Sequence, residues 1–175
     1  VLLVARDLGS LEAQPSDSLD SSRAYTVKAA YLFQFARYVE WPADAFATRE
    51  SPWVIGVLGP YPFDSVFEDI ARTKRIEGRP VTIRRFASMA HYTSCHILFI
   101  AAATEPAQRA IGIEQLKQSP VLLVGEEPGF AEEGGVINFF VEEGRVRFEI
   151  NVQAARQRQL KISSTLLSLA KLVER

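Results

Sequence analysis

Residues 95–125 read CHILFIAAATEPAQRAIGIEQLKQSPVLLVG, and the order of patterns in that stretch decides the fold. Ile97 to Ala103 is an unbroken apolar run of strand length, as a strand covered on both faces requires. Thr104-Glu105-Pro106 marks a helix start, because proline is tolerated in the first turn, and Ala107 to Lys117 continues it. Pro120 then precedes a second apolar run, Val121 to Val124. Strand, helix, strand is the crossover unit of a parallel sheet.

Upstream, Trp53 to Leu58 reads as a buried strand between Pro52 and Gly59. Phe63 to Arg72 reads as a helix with Val66, Phe67 and Ile70 on one side. Gly78-Arg79-Pro80 is a turn, Val81 to Phe86 a strand, Ser88 to Tyr92 a short helical turn, and Cys95 to Ala101 the next strand. Further back, Ala24 to Glu40 carries apolar residues at helical spacing, with Ser21 or Ser22 placed to cap it and Trp41-Pro42 to end it. Its apolar band is wide, as in a helix buried on most of its circumference.

Downstream, Val136 to Val141 and Arg145 to Ile150 flank Glu142-Glu143-Gly144, the pattern of a hairpin with glycine supplying positive φ. Asn151 is placed to cap a helix over Val152 to Gln157. Ser163 or Ser164 caps a last one over Thr165 to Val173, striped by Leu166, Leu169, Ala170 and Val173. The expected fold is α/β: a three-layer sandwich whose mostly parallel central sheet ends in an antiparallel hairpin. Residues 1–22 read as a tail and residues 23–175 as one domain. The opening Val1-Leu2-Leu3-Val4-Ala5, followed by small and polar residues, reads either as the remnant of an export signal cleaved near Ala13 or as a disordered tail.

The 175 residues are 47% hydrophobic and 23% charged, the balance of a globular domain. Lys plus Arg is 20 against 21 Asp plus Glu, which argues against broad capture of nucleic acid. Cys95 is the one cysteine, so an internal disulfide and a Cys-rich zinc site are excluded. No apolar run approaches the roughly 18 to 20 residues of a membrane span.

The strand ends, where open α/β sheets collect ligands, offer few nucleophiles or bases. They hold Gly59-Pro60-Tyr61-Pro62, Arg85-Phe86, Ala102-Ala103-Thr104 and Gly125-Glu126-Glu127. A phosphoacceptor aspartate is missing from the third strand end, which carries Ala102-Ala103, so a receiver domain is disfavoured. Neither a dinucleotide fingerprint, a Walker sequence nor a nucleophile elbow is present. Cys95 and His96 are neighbours in a strand and point to opposite faces, which breaks a thiol–imidazole pair. The loop Glu126 to Gly135 carries four glutamates without the spacing of a calcium loop. Within it Phe130 is either a plug closing the core or an exposed anchor. Arg145 and Arg147 share one hairpin face with Glu149, where a cross-strand pair with Glu142 is expected.

Several segments together resemble the YfiR/HmsC-like family of exported bacterial proteins. They are Val27-Lys28-Ala29-Ala30-Tyr31-Leu32 with Phe35-Ala36-Arg37-Tyr38-Val39-Glu40-Trp41-Pro42, and Gly78-Arg79-Pro80 with Cys95-His96-Ile97-Leu98-Phe99-Ile100. Pro120 to Gly125, Gly129-Phe130-Ala131, Gly134 to Phe139, Arg145 to Asn151 and Leu160 to Ser164 complete the set. The resemblance implies a periplasmic regulator, and with no convergent acid, base and nucleophile in the sequence it is expected to be non-enzymatic, without a cofactor or metal. It would restrain a membrane-bound diguanylate cyclase through that enzyme's periplasmic region, lowering cyclic di-GMP and biofilm formation. The resemblance implies a homodimer and contact with the membrane only through the partner, and the charge balance leaves no nucleic acid among the expected partners. Some relatives carry paired cysteines, and this chain departs from them in keeping only Cys95. The partner-binding candidates are Phe130, Glu132, Arg145 and Arg147, with the exposed side of the first or last helix. The alternative is a small-molecule sensor, with Tyr61, Arg85 and His91 as its ligand-binding candidates.

Overall fold

The computed structural model describes residues 15–61 and 64–173. Val1 to Ala5, Ala13 and Phe63 lie outside them. The chain runs α1 (Pro15–Tyr38), β1 (Val39–Glu40), β2 (Trp53–Leu58), α2 (Asp64–Thr73), β3 (Val81–Phe86), β4 (Ile97–Ile100) and α3 (Pro106–Gln115). It continues with β5 (Leu122–Gly125), β6 (Ile137–Glu142), β7 (Arg145–Ile150), α4 (Val152–Gln157), β8 (Lys161–Ile162), α5 (Ser164–Ser168) and β9 (Lys171–Leu172). One seven-stranded sheet has the order β3-β2-β4-β5-β6-β7-β9, parallel from β3 through β6. The β6–β7 hairpin is antiparallel, with Glu142 opposite Arg145. Its two loop residues, Glu143 (φ 50°) and Gly144 (φ 71°), both have the positive φ of a type I′ turn, whose twist matches the strands. The structure is the expected α/β fold.

Successive strand residues point to opposite faces, so Phe99 and Ile100 separate two layers. On the Phe99 side, Phe35 of α1 stacks on Phe139 at 5.7 Å and meets Phe148 edge-on at 5.2 Å. Tyr31 meets Phe148 at 5.3 Å, and Phe67 of α2 lies 6.3 Å from Phe99. Each such pair contributes about 0.5–1.5 kcal/mol beyond its buried area. On the Ile100 side lies α3, where a side-chain carbon at Gly112 would sit 3.7 Å from Ile100 Cδ1. Arg158, 1% exposed, joins α3 to α4 by donating to Ile113 O (3.3 Å) and Ala154 O (3.1 Å). These carbonyls belong to the last turns of two helices, whose negative ends favour a buried cation. Burial lowers the Arg158 guanidinium pKa to about 10, so it stays charged at neutral pH.

The differences from the sequence reading lie at the first and last helices and at the two-residue strands. The first helix begins at Pro15, ahead of the Ser21-Ser22 cap. It stops at Tyr38 because Val39 and Glu40 pair with Ile162 and Lys161 in a second, two-stranded sheet. The last helix is only Ser164–Ser168, capped by Ser163 Oγ. The chain then turns extended, and Lys171 and Leu172 pair with Glu149 and Ile150, covering part of an open sheet edge.

Phe130 is the plug of the two alternatives. It is 1% exposed, and its ring fills the space that side chains at Gly125 and Gly135 would take. A Cβ at Gly135 would come 2.1 Å from Phe130 Cε1, and one at Gly125 2.5 Å from Cδ1. With its ring walled in by two backbones, Phe130 has no surface to offer a partner. Phe130→Ala is expected to cost roughly 3–5 kcal/mol, and Gly135→Ala about 1–3 kcal/mol by overpacking. In the double variant the clash disappears, so urea unfolding should show a loss smaller than the sum of the two.

Candidate functional site

β2 lies between β3 and β4, so the chain leaves its carboxyl end toward β3 and returns on the other side through β4. That reversal opens the crevice where such folds receive ligands. Here the chain's own groups occupy it. Ala101 N and Thr104 Oγ1 both donate to Leu58 O, at 3.1 and 2.9 Å. Glu126, just past β5, accepts from Ala102 N at 2.9 Å through Oε1 and from Lys28 Nζ at 2.5 Å through Oε2. The two charged side chains are 11% and 3% exposed. Lys28 also lies 4.6 Å over the Tyr25 ring, and Tyr25 meets Tyr61 edge-on at 5.1 Å. Burial, then the charge of Glu126 and its hydrogen bond, raise the Tyr25 phenol above its ordinary pKa.

The three ligand-binding candidates do not converge. Tyr61 is buried against Phe67 and Phe99. Arg85 reaches Glu68 of α2 at 3.2 Å, on the sheet's β3 edge. His91 sits with Ser88 Oγ at 3.0 Å, in the 3-10 turn whose Met89 N bonds Gln108 of α3. These are three separate surroundings, far from a shared pocket in topology.

Cys95 and His96 have structural partners. The Cys95 thiol is buried, donates to Tyr92 Oη at 3.8 Å, and is pushed up to about 11 by burial, so it carries no thiolate at neutral pH. His96 Nδ1 accepts from Val54 N at 3.0 Å, which leaves Nε2–H to donate to Ala45 O at 3.0 Å. The ring stacks on Phe46 at 4.3 Å, and burial lowers its pKa. Beside both residues, at the amino ends of β2, β4 and β5, lies a cavity of about 510 Å³.

The acidic loop is divided. Glu126 pairs with Lys28, Glu133 pairs with Arg109 at 3.2 Å, and Glu132 is half-buried. Among the described residues no group of three or more His, Cys, Asp or Glu is placed to hold a metal ion. Arg147 makes the expected cross-strand pair with Glu142, at 2.9 Å.

Arg145 has different company. It lines a groove of about 820 Å³ between the hairpin tip and the middle of α1, with Arg23, Val27, Tyr31, Val141 and Val146. Val27 is 42% and Val141 61% exposed. Neither Arg23 nor Arg145 makes an ion pair among the described residues. The groove thus joins one partner-binding candidate to the exposed side of the first helix. Sequence reading missed Val27 and Val141 themselves. The signal was the width of the apolar band on α1, more than one sheet face can cover.

The model of the YfiR/HmsC-like family matches residues 25–171, and the chain belongs to that family. No curated protein matches the chain. The family is one of periplasmic regulators in cyclic di-GMP signalling that act with a membrane signalling partner. Among the described residues no helix is long and apolar enough to cross a membrane.

Two measurements follow from this geometry. Lys28→Met leaves the Glu126 carboxylate buried and unpaired and should cost about 3–5 kcal/mol. Combining it with Glu126→Gln should recover a large part of that loss in urea unfolding. For His96, the depressed native pKa means that the unfolded chain takes up a proton first as pH drops below its ordinary value. Its contribution is therefore full above about pH 6.5 and is lost as pH falls through the native pKa. Stability should fall as pH drops below about 6.5, and His96→Gln should flatten that slope.

Proposed function

We propose that this protein is a periplasmic repressor of a membrane-bound diguanylate cyclase. It docks to the cyclase's periplasmic region, lowers cyclic di-GMP and so limits biofilm formation. It works by binding, without catalysis or cofactor, and as a homodimer. The observation that supports this reading most is the groove on α1 and the hairpin tip. Its exposed Val27 and Val141 beside Arg23 and Arg145 suit an apolar partner segment flanked by acidic residues. The crevice in which an enzyme of this topology would hold substrate is filled by Lys28, Glu126 and Thr104.

Docking represses only when the protein binds the inactive cyclase more tightly than the active one. The partner to test is the periplasmic segment of the diguanylate cyclase encoded nearest this gene. Calorimetry with the full chain should give a 1:1 complex of micromolar affinity or better. Val27→Glu and Arg145→Glu sit on exposed positions that tolerate change, and each should weaken the complex about tenfold or more. A flat heat trace sinks the reading and favours a metabolite sensor. Binding that ignores both substitutions sinks the groove as its surface.

A further inference from the structure

A second cavity, of about 520 Å³, lies between β6, β7, Lys171 of β9 and the acidic loop. Its polar side chains are Glu126, Glu132, Asn138, Glu149 and, at the rim, Lys171. Asn138 is 2% exposed; its Nδ2 donates to Glu149 Oε1 at 3.2 Å, and its Oδ1 has no partner. Glu149 is 7% exposed. Glu132 Oε2 is shielded from solvent and also has no partner. Buried acceptors without donors are rare because they forfeit the hydrogen bonds that water would give them. The carboxylates are not arranged to hold a metal ion. One cation already stands at the rim: Lys171 Nζ lies 3.7 Å from Glu149 Oε2 and 6.0 Å over the Phe140 ring. Its side chain is 70% exposed, so it gives way at little cost. A carboxylate beside an aromatic face is the setting in which an ammonium group is held.

We propose that this cavity binds a small organic cation, a primary amine with an apolar body. Its ammonium supplies up to three donors to Glu132, Asn138 and Glu149, and its body packs on Phe140 and Pro128. Neutral or anionic analogues of the same size leave the acceptors unpaired and are rejected. This site is distinct from the docking groove: the two have Val141 alone in common among their lining residues.

The test is thermal shift and calorimetry on the full chain with two amines at millimolar concentration: phenethylamine and hexylamine. The matched controls are 2-phenylethanol and phenylacetate. At least one amine should raise the melting temperature while both controls leave it unchanged. Glu132→Gln, a half-buried position that keeps the fold, should weaken amine binding about tenfold or more. Lys171→Ala should preserve or strengthen it. Three outcomes overturn the proposal: no stabilisation by any amine, equal binding of the alcohol, or full affinity in the folded Glu132→Gln variant. None of them bears on cyclase binding, which is measured separately at Val27 and Arg145.

Discussion

The buried ion pair between Lys28 and Glu126 fixes where α1 can lie, and much of the molecule follows from that position. A parallel sheet leaves unpaired backbone donors and acceptors at its carboxyl edge, and these must meet something polar. Glu126 meets one of them, the amide of Ala102, and its remaining oxygen then needs a cation. Lys28 supplies the cation from α1, at the point where the helix passes over the strand ends. With Lys28 held, Tyr31 and Phe35 fall on Phe139 and Phe148. Arg23 and Val27 stay exposed on the neighbouring turns, and a groove forms there against the hairpin tip. Closure of the crevice and opening of the groove are two results of one helix placement.

Much of this fold was legible in the sequence because its main strands are long enough to carry a pattern. Trp53–Leu58, Val81–Phe86 and Arg145–Ile150 are the spans their apolar runs and turn residues mark. Asn151 and Ser163 cap the helices they precede. What escaped were strands of two residues. Val39–Glu40, Lys161–Ile162 and Lys171–Leu172 have no periodicity to read, since their partners are remote in the chain. The stripe Leu166, Leu169, Ala170, Val173 fits a helix, yet Leu169 is 68% exposed. The gain from pairing with β7 outweighs local helical preference there.

The site was less legible for a different reason. Residue type reveals chemistry only where the surroundings are known. An aromatic residue among glycines is an anchor if the loop is open and a plug if the glycines face the ring. Only the distances at Gly125 and Gly135 decide. Tyr61, Arg85 and His91 all follow strand ends or lie near them, but on both faces and at one edge of the sheet, so nearness in pattern did not become nearness in space. Arg145 and Arg147 alternate correctly and still part company. Glu142 can reach only one of them well, and it takes Arg147.

How a partner can meet the hairpin is constrained by its edge. β9 pairs with Glu149 and Ile150 alone, so Arg145 to Phe148 remain at the border of the sheet. An open strand edge invites addition of a foreign strand, and charged side chains along it discourage that. Arg145 and Arg147 stand there, with Glu142 and Glu143 across the turn. Recognition by backbone pairing is therefore disfavoured, and the faces of the hairpin are what it presents. One face carries Val141 and Val146 toward α1, and the other carries Phe140 and Glu149 toward the acidic loop. Val141 borders both groove and cavity, whereas Val27 and Arg145 line only the groove and Glu132 only the cavity. The docking groove and the acceptor-lined cavity can thus be tested one at a time in the same folded protein.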